Sequence, residues 1–510
     1  MQIHRAPIGR PLRLLVSLLA LLLLAAPGLA TWSIIVVNTK TGEVAVGTAT
    51  CLTGTNIQNI VPVLVPGLGG GASQSLIDSG GINRKIIWDG LHNGDTPDEI
   101  LLQLSAINGF QARQFGVVNF PDNPVTFTGN NAGQAKGGVA GVVGDLRYAI
   151  QGNVLTDPIV WLAAEQAILN APGDLSQKLM AAMEAARSYG GDGRCSCSPT
   201  APTSCGAPPA MGFTKSAHCG YVGVGRIGDD EGVCNSVIGC ANGDYFLSLN
   251  FVGATPDPDP VIVLQGMYDA WRLGLVGVPD QLHSLVAPAF DSIVADGHST
   301  QRVDLKLVDI EGTPLTSGGA AITFEHLSAG APLCTPIAAL DKGNGSYSFE
   351  LQAGLQAGSD LWRVRADGVV LQPDVLVRID ALTPLHIGFD TISSAAGAPV
   401  PLTLNLGGAN AGEPYQLLAS AAGSVPGTTL GGLAIPLNPD HLYLLSLNKP
   451  AGNLFVNTIG RLDADGRAQA GFRVVPGMLD AFVGGQIDWA VLLRTAQPAV
   501  FGPVAFGVAP

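Results

Sequence analysis

Thr31 follows Gly28-Leu29-Ala30, a small-x-small tripeptide of the kind a signal peptidase cuts after. Cleavage there uncovers an N-terminal threonine, which carries both halves of a nucleophile–base pair. The hydroxyl alone is a poor nucleophile. The free α-amine, with an ordinary pKa of about 7.7–8.0, is substantially neutral near pH 7.5 and accepts the hydroxyl proton directly or through one water. Many exported proteins also begin with threonine for no catalytic reason, so the leader by itself does not single out this chemistry.

Other residues fit roles around such a nucleophile. Asn153 carries an amide that donates to a developing oxyanion; Gly152-Asn153 suits a turn or a cap equally well. Asp192 and Arg194 form an ion pair that orients an amine or receives a substrate carboxylate, or that fixes a loop. Ser33 shares a strand face with Thr31. Ser73 and Gln74 follow a run of glycines and either face a pocket or shape a turn. The eight histidines show no H-E-x-x-H spacing, and no G-x-S-x-G elbow is present. Gly67-Leu68-Gly69-Gly70-Gly71 lacks the Lys-Ser/Thr ending of a phosphate loop.

Eight cysteines occur, six of them between residues 195 and 240. Cys195, Cys197, Cys205, Cys219, Cys234 and Cys240 are therefore disulfide candidates in an exported chain. Cys195-Ser196-Cys197 and His218-Cys219 also offer soft metal ligands, but no C-x-x-C pair is present and disulfides are the preferred expectation. Cys51 and Cys334 are expected either unpaired or bonded elsewhere. No metal and no cofactor is expected.

A formal charge of -14 argues against nucleic-acid binding through phosphate neutralisation. Arg5, Arg10 and Arg13 precede the apolar run Leu14–Ala26, so residues 1–30 read as a Sec-type signal peptide. After cleavage no segment is long and apolar enough for a transmembrane helix, which predicts a secreted or periplasmic protein.

These side chains need positioning, and 510 residues are too many for one core. Residues 31–255 alternate strands and helices. Ser33–Val37 and Glu43–Ala49 flank a hairpin at 38–42. Phe115–Phe120, Arg147–Gln151, Tyr221–Ile227 and Tyr245–Phe251 read as further strands. Thr96, Asp157 and Asp174 cap helices that begin at Pro97, Ile159 and Leu175, and Asp257-Pro258-Asp259-Pro260 opens a last helix through Leu275. Residues 256–295 read as helix and linker. From 296 the pattern becomes short strands between Gly, Pro and Asp turns, with no convincing helix. Two all-β domains are expected, an Ig-like sandwich at 296–383 and a second at 384–510 that includes Pro401–Leu406, Tyr415–Ser420, His441–Leu447 and Asp488–Arg494 as strands.

Thr31-Trp32-Ser33-Ile34-Ile35-Val36 and Thr41-Gly42-Glu43-Val44-Ala45-Val46-Gly47 resemble the opening of a bacterial family known as domain of unknown function 1028. Gly69-Gly70-Gly71-Ala72-Ser73-Gln74, Thr128-Gly129, Tyr148–Leu155, Gly190–Arg194 and Lys215-Ser216-Ala217 resemble its later motifs in order, over about 31–250. Lys215 stands where glutamine is usual, and Cys195–Cys205 splits the last motif. The family is regarded as similar to N-terminal-nucleophile hydrolases. The resemblance implies an α+β domain, a four-layer αββα sandwich over 31–255 with a Cys-rich insertion at 195–240. It places the nucleophile at a central strand end and adds Gln151 to the pocket candidates.

The leading expectation is an exported amidohydrolase-like enzyme in which Thr31 attacks a C–N bond of a small amide or peptide-like substrate. The alternative is a non-catalytic secreted or surface-associated protein that keeps the fold. In either case the C-terminal β domains are the candidates for cell-surface or glycan contact.

Overall fold

The computed structural model describes residues 31–210 and 213–510. The expected leader and its cleavage site lie outside the described residues. The chain divides into two compact units, one ending at Gly274 and the other spanning 275–510.

The first unit is mixed α+β. Strand β1 (Thr31–Asn38) turns through Thr39–Gly42 into β2 (Glu43–Thr50). A six-stranded sheet carries them in the order β10-β9-β2-β1-β8-β7, with β7 Gly137–Val143, β8 Leu146–Asn153, β9 Cys219–Gly225 and β10 Leu247–Val252. A second sheet runs β3-β4-β5-β6: Pro62–Val65, Gly69–Ser75, Arg113–Asn119 and Val125–Thr128. The two-residue period of β1 splits its side chains between two cores. Trp32, Ile34 and Val36 pack under helices α3 (Ile159–Asn170), α4 (Leu175–Ser188) and α5 (Pro260–Leu273). Ile35 and Val37 meet the second sheet, whose far face is covered by α1 (Ile82–Asn93) and α2 (Pro97–Ser105). The layers are thus helices, sheet, sheet, helices.

Local chemistry explains these elements. Thr96 and Glu99 form a reciprocal capping box at α2, and Asp174 and Gln177 do the same at α4. Asp259 caps α5, which packs within the first unit through Tyr268. Asp157 Oδ1 accepts the Ile159 N–H at 2.9 Å. The glycine run of β4 reflects close approach: a Cβ on Gly70 would stand 3.1 Å from Val44 Cγ2, and one on Gly71 2.8 Å from Ile87 Cγ2.

The second unit is all-β apart from short helical pieces. One sandwich stacks β11-β13-β16-β15 (Leu285–Pro288, Thr300–Lys306, Ser346–Ala353, Cys334–Asp341) on β12-β18-β17-β14 (Ser292–Val294, Val369–Asp380, Gly358–Ala366, Ile322–His326). The other stacks β19-β21-β27-β25 (Leu385–Ile387, Ala398–Asn405, Arg467–Val474, Phe455–Val456) on β20-β29-β28-β22-β26 (Thr391–Ser393, Ala499–Ala509, Gln486–Leu493, Pro414–Ser420, Ile459–Arg461). A small hairpin, β23 (Thr428–Leu430) and β24 (Leu433–Ile435), joins the second sandwich.

The strand expected at His441–Leu447 is instead a helix, α6 (His441–Asn448). Asp440 accepts the Tyr443 N–H at 2.7 Å and starts the turn. The buried Gln416 amide then donates to the Ser446 and Leu447 carbonyls, satisfying the last turn from a neighbouring strand.

Candidate functional site

Thr31 opens β1 between two partners. The hairpin places Thr50 opposite it on one side, and β8 places Asn153 opposite it on the other. Its main-chain N–H donates to Asn153 Oδ1 at 3.2 Å, and its hydroxyl to Thr50 Oγ1 at 3.3 Å. The Thr31 carbonyl accepts Gln74 Nε2 at 2.8 Å from β4 of the facing sheet. Thr31 is buried, with 3% of its surface exposed.

A buried polar layer continues inward from this point. Ser33 Oγ donates to Gln74 Oε1 and lies 3.0 Å from Thr48 Oγ1. Gln74 Nε2 also donates to Gln114 Oε1 at 2.9 Å, and Gln114 Nε2 to the Gly152 carbonyl at 2.8 Å. Such groups persist between two sheets because they satisfy one another. Ser73, in β4 and not in a turn, accepts Asn83 Nδ2 at 3.4 Å. Gln151 lies beside this layer against Gly116, and its Nε2 is buried without a hydrogen-bond acceptor among the described residues.

Asn153 holds the Thr31 nitrogen with its carbonyl oxygen and spends its Nδ2 on Ser75 Oγ at 3.2 Å. Asp192 and Arg194 face each other in two contacts, at 2.8 and 3.1 Å. Asp192 Oδ2 also accepts the Cys51 N–H at 2.8 Å, and Oδ1 caps the one-turn helix Gly193–Ser196. The pair therefore braces the chain just after Thr50. The space beside Thr31, walled by Thr50, Leu52, Ile57 and Ser73–Ser75, is about 10 Å³, the size of a single water. No amide substrate fits it without movement of these walls.

Thr50, Ser75 and Gln114 belong to this cluster and were not among the residues singled out by sequence. Thr50 was within reach: a hairpin pairing Asn38 with Glu43 puts it opposite Thr31. Ser75 sits at φ 73°, a left-handed conformation uncommon for serine, at the end of β4.

The disulfides are Cys51–Cys195, Cys197–Cys205 and Cys234–Cys240. Cys219 is not paired, contrary to expectation. Cys51 takes its place because β2 ends beside the 192–197 segment, and the Cys219 thiol donates instead to the Leu52 carbonyl at 3.1 Å. Cys334 is free and buried. Cys51, Cys195 and His218 bring their donor atoms within 4.8 Å of one another, but the two sulfurs are bonded to each other. Burial lowers the His218 pKa from its usual 6.5, with Lys215 adding to the effect.

Residues 31–201 match the family model described as a family of unknown function, DUF1028, so the resemblance read from the motifs is shown over that span. Residues 280–377 match the model for invasin, domain 3. No curated protein matches the chain. Among solved structures, protein SPO2555 from Silicibacter pomeroyi, of the DUF1028 family, is 20% identical over 47% of this chain and 88% of its own, with a TM-score of 0.34. Invasin, a bacterial integrin-binding protein, is 12% identical over 94% of this chain and 60% of its own, at a TM-score of 0.19. The Yersinia pseudotuberculosis adhesin InvE is 15% identical over 45% and 60%, also at 0.19. At these TM-scores the likenesses carry no argument about function. No helix among the described residues is long and apolar enough to cross a membrane.

Proposed function

We propose that the chain is a surface-associated binding protein, in which the all-β unit makes contact outside the cell and the first unit rides with it. The match of residues 280–377 to an invasin domain carries this reading. Three disulfides in the first unit agree with an oxidising, extracytoplasmic setting. Expressed in its native host, the protein should stain with an antibody to residues 275–510 on intact cells. Staining that appears only after permeabilisation would refute the reading.

One observation favours a second reading, an N-terminal-nucleophile-like amidohydrolase. Thr31 is buried at a strand end, with its nitrogen on Asn153 and its hydroxyl on Thr50. If residues 1–30 are removed, that nitrogen becomes the base and Oγ1 the nucleophile toward a carbonyl. The closed space beside it requires Leu52 or the Ser73–Ser75 strand end to move first. An electrophile such as a β-lactone should then label the mature protein at Thr31 and leave Thr31→Ala unlabelled. Equal labelling of both would remove this reading and leave the first untouched.

A further inference from the structure

The outer face of the sheet β19-β21-β27-β25 is crossed by three adjoining hollows of about 290, 370 and 360 Å³. The first two share Phe290, Pro401 and Gln469; the last two share Val456, Asn457 and Arg473. They form one groove.

Strand register builds its floor. Val400, Leu402, Ala470 and Phe472 point inward to the core, so the odd-numbered residues of β21 and β27 point outward. One outward row is His386–Thr403–Gln469, and the next is Pro401–Gly471–Val456. Gly471, which has no side chain, lines the middle hollow. Across four strands the groove extends roughly 14 Å, at about 4.8 Å per strand.

One end is held rigidly. Ser292 Oγ donates to Asp380 Oδ2 at 2.6 Å, and His386 Nε2 lies 3.1 Å from Ser292 Oγ and 3.0 Å from Asp380 Oδ2. Arg378 clasps Asp390 through two contacts of 2.7 Å, and Phe290 meets Phe389 edge-on at 5.8 Å. A site built across this joint is preorganised.

The lining chemistry selects the occupant. Among the described residues no carboxylate lines the hollows, and Arg473 is the one permanent cation in their lining. The polar groups are hydroxyls and amides. Gln469 Oε1 is occupied by Thr403, whereas the side-chain NH2 groups of Gln469 and Asn457 donate to no protein acceptor among the described residues. Phe290, Pro401 and Val456 supply apolar patches between them. An extended peptide would bind by adding a strand at a sheet edge. Here β21 and β27 pair with each other along their full length, so the centre of the floor offers side chains and not a free backbone ladder. A chain of C–H faces flanked by hydroxyls satisfies both kinds of lining.

We propose that this groove binds an uncharged linear oligosaccharide, with sugar C–H faces over Pro401, Gly471 and Val456 and hydroxyls on Gln469, Thr403 and Asn457. The proposal rests on the surface-binding reading above and names the ligand class.

The test is an array of soluble uncharged oligosaccharides (β-glucan, chitin and xylan fragments) probed with the full chain, followed by calorimetry on the best binder. A Cβ on Gly471 would stand 3.5 Å from Val400 O and 3.8 Å from Val456 Cβ, ordinary van der Waals contacts. Gly471→Leu fills the trough and should weaken binding at least tenfold with an unchanged melting temperature. Should that variant unfold, Gln469→Ala, at an exposed position, should weaken binding several-fold. The proposal is overturned if no fragment binds, if only charged glycans bind, or if the folded variants bind as wild type. Staining of intact cells is read separately, so a silent array on a surface-displayed protein refutes the ligand and not the location.

Discussion

Thr31 and Asn153 stand directly opposite each other across the β1–β8 ladder, and the Asn153 carbonyl oxygen receives the Thr31 N–H at 3.2 Å. The contact fixes the start of β1 in a buried position whether or not the residue ever acts as a nucleophile. Replacing Asn153 with Leu takes this acceptor away and also removes the donor to Ser75. Urea unfolding of the first unit should show a loss of about 1–3 kcal/mol, the usual cost of leaving a buried polar group unsatisfied.

Glu43 and Arg226 form a second test of the same unit. Their side chains are 1% and 3% exposed and meet at 2.9 Å, and the guanidinium lies 3.3 Å over the Phe246 ring. Glu43→Gln removes the carboxylate charge that faces the buried guanidinium. It should destabilise the unit by about 3–5 kcal/mol in the same urea experiment, the magnitude typical of breaking a buried pair from one side.

Peptide mapping without reductant should recover Cys51–Cys195, Cys197–Cys205 and Cys234–Cys240. Cys219 and Cys334 should alkylate only after unfolding. Burial pushes the Cys334 thiol up to about 12, and the neighbouring Asp360 carboxylate, 3.3 Å away, acts in the same direction. Folded protein at pH 8 therefore presents no Cys334 thiolate. Removing Cys51–Cys195, which closes a separation of 144 residues, should cost roughly 2–5 kcal/mol.

The second unit should weaken as pH falls below about 6.5. Burial holds the His386 pKa below its usual 6.5, against the pull of Asp380 and Asp296 and with a smaller contribution from Arg378. The unfolded chain therefore takes up a proton at a higher pH than the folded one. This contribution to stability is complete above the unfolded value and is lost as pH drops through the folded one. The urea midpoint should fall from pH 7 to pH 5, and His386→Asn should flatten that part of the slope.

Most elements around Thr31 were readable because their signals are local. The 38–42 turn, the caps at Thr96 and Asp174 and the β-branched run of β1 each lie within a few residues. What escaped is long-range. Glycines in β4 and β7 mask strands whose reason is close approach to facing elements, as at Gly71 against Ile87. Helix α6 depends on Gln416 reaching its last carbonyls from another strand. The Cys51–Cys195 bond joins segments 144 residues apart, and no spacing rule points to it. The buried polar layer of Gln74 and Gln114 needs two sheets stacked before it exists.

The surface reading has a direct test in protease shaving of intact cells of the native host. Trypsin added outside should release peptides from residues 275–510 into the supernatant, identifiable by mass spectrometry, while a cytoplasmic marker stays intact. Recovery of those peptides only after lysis would contradict the account.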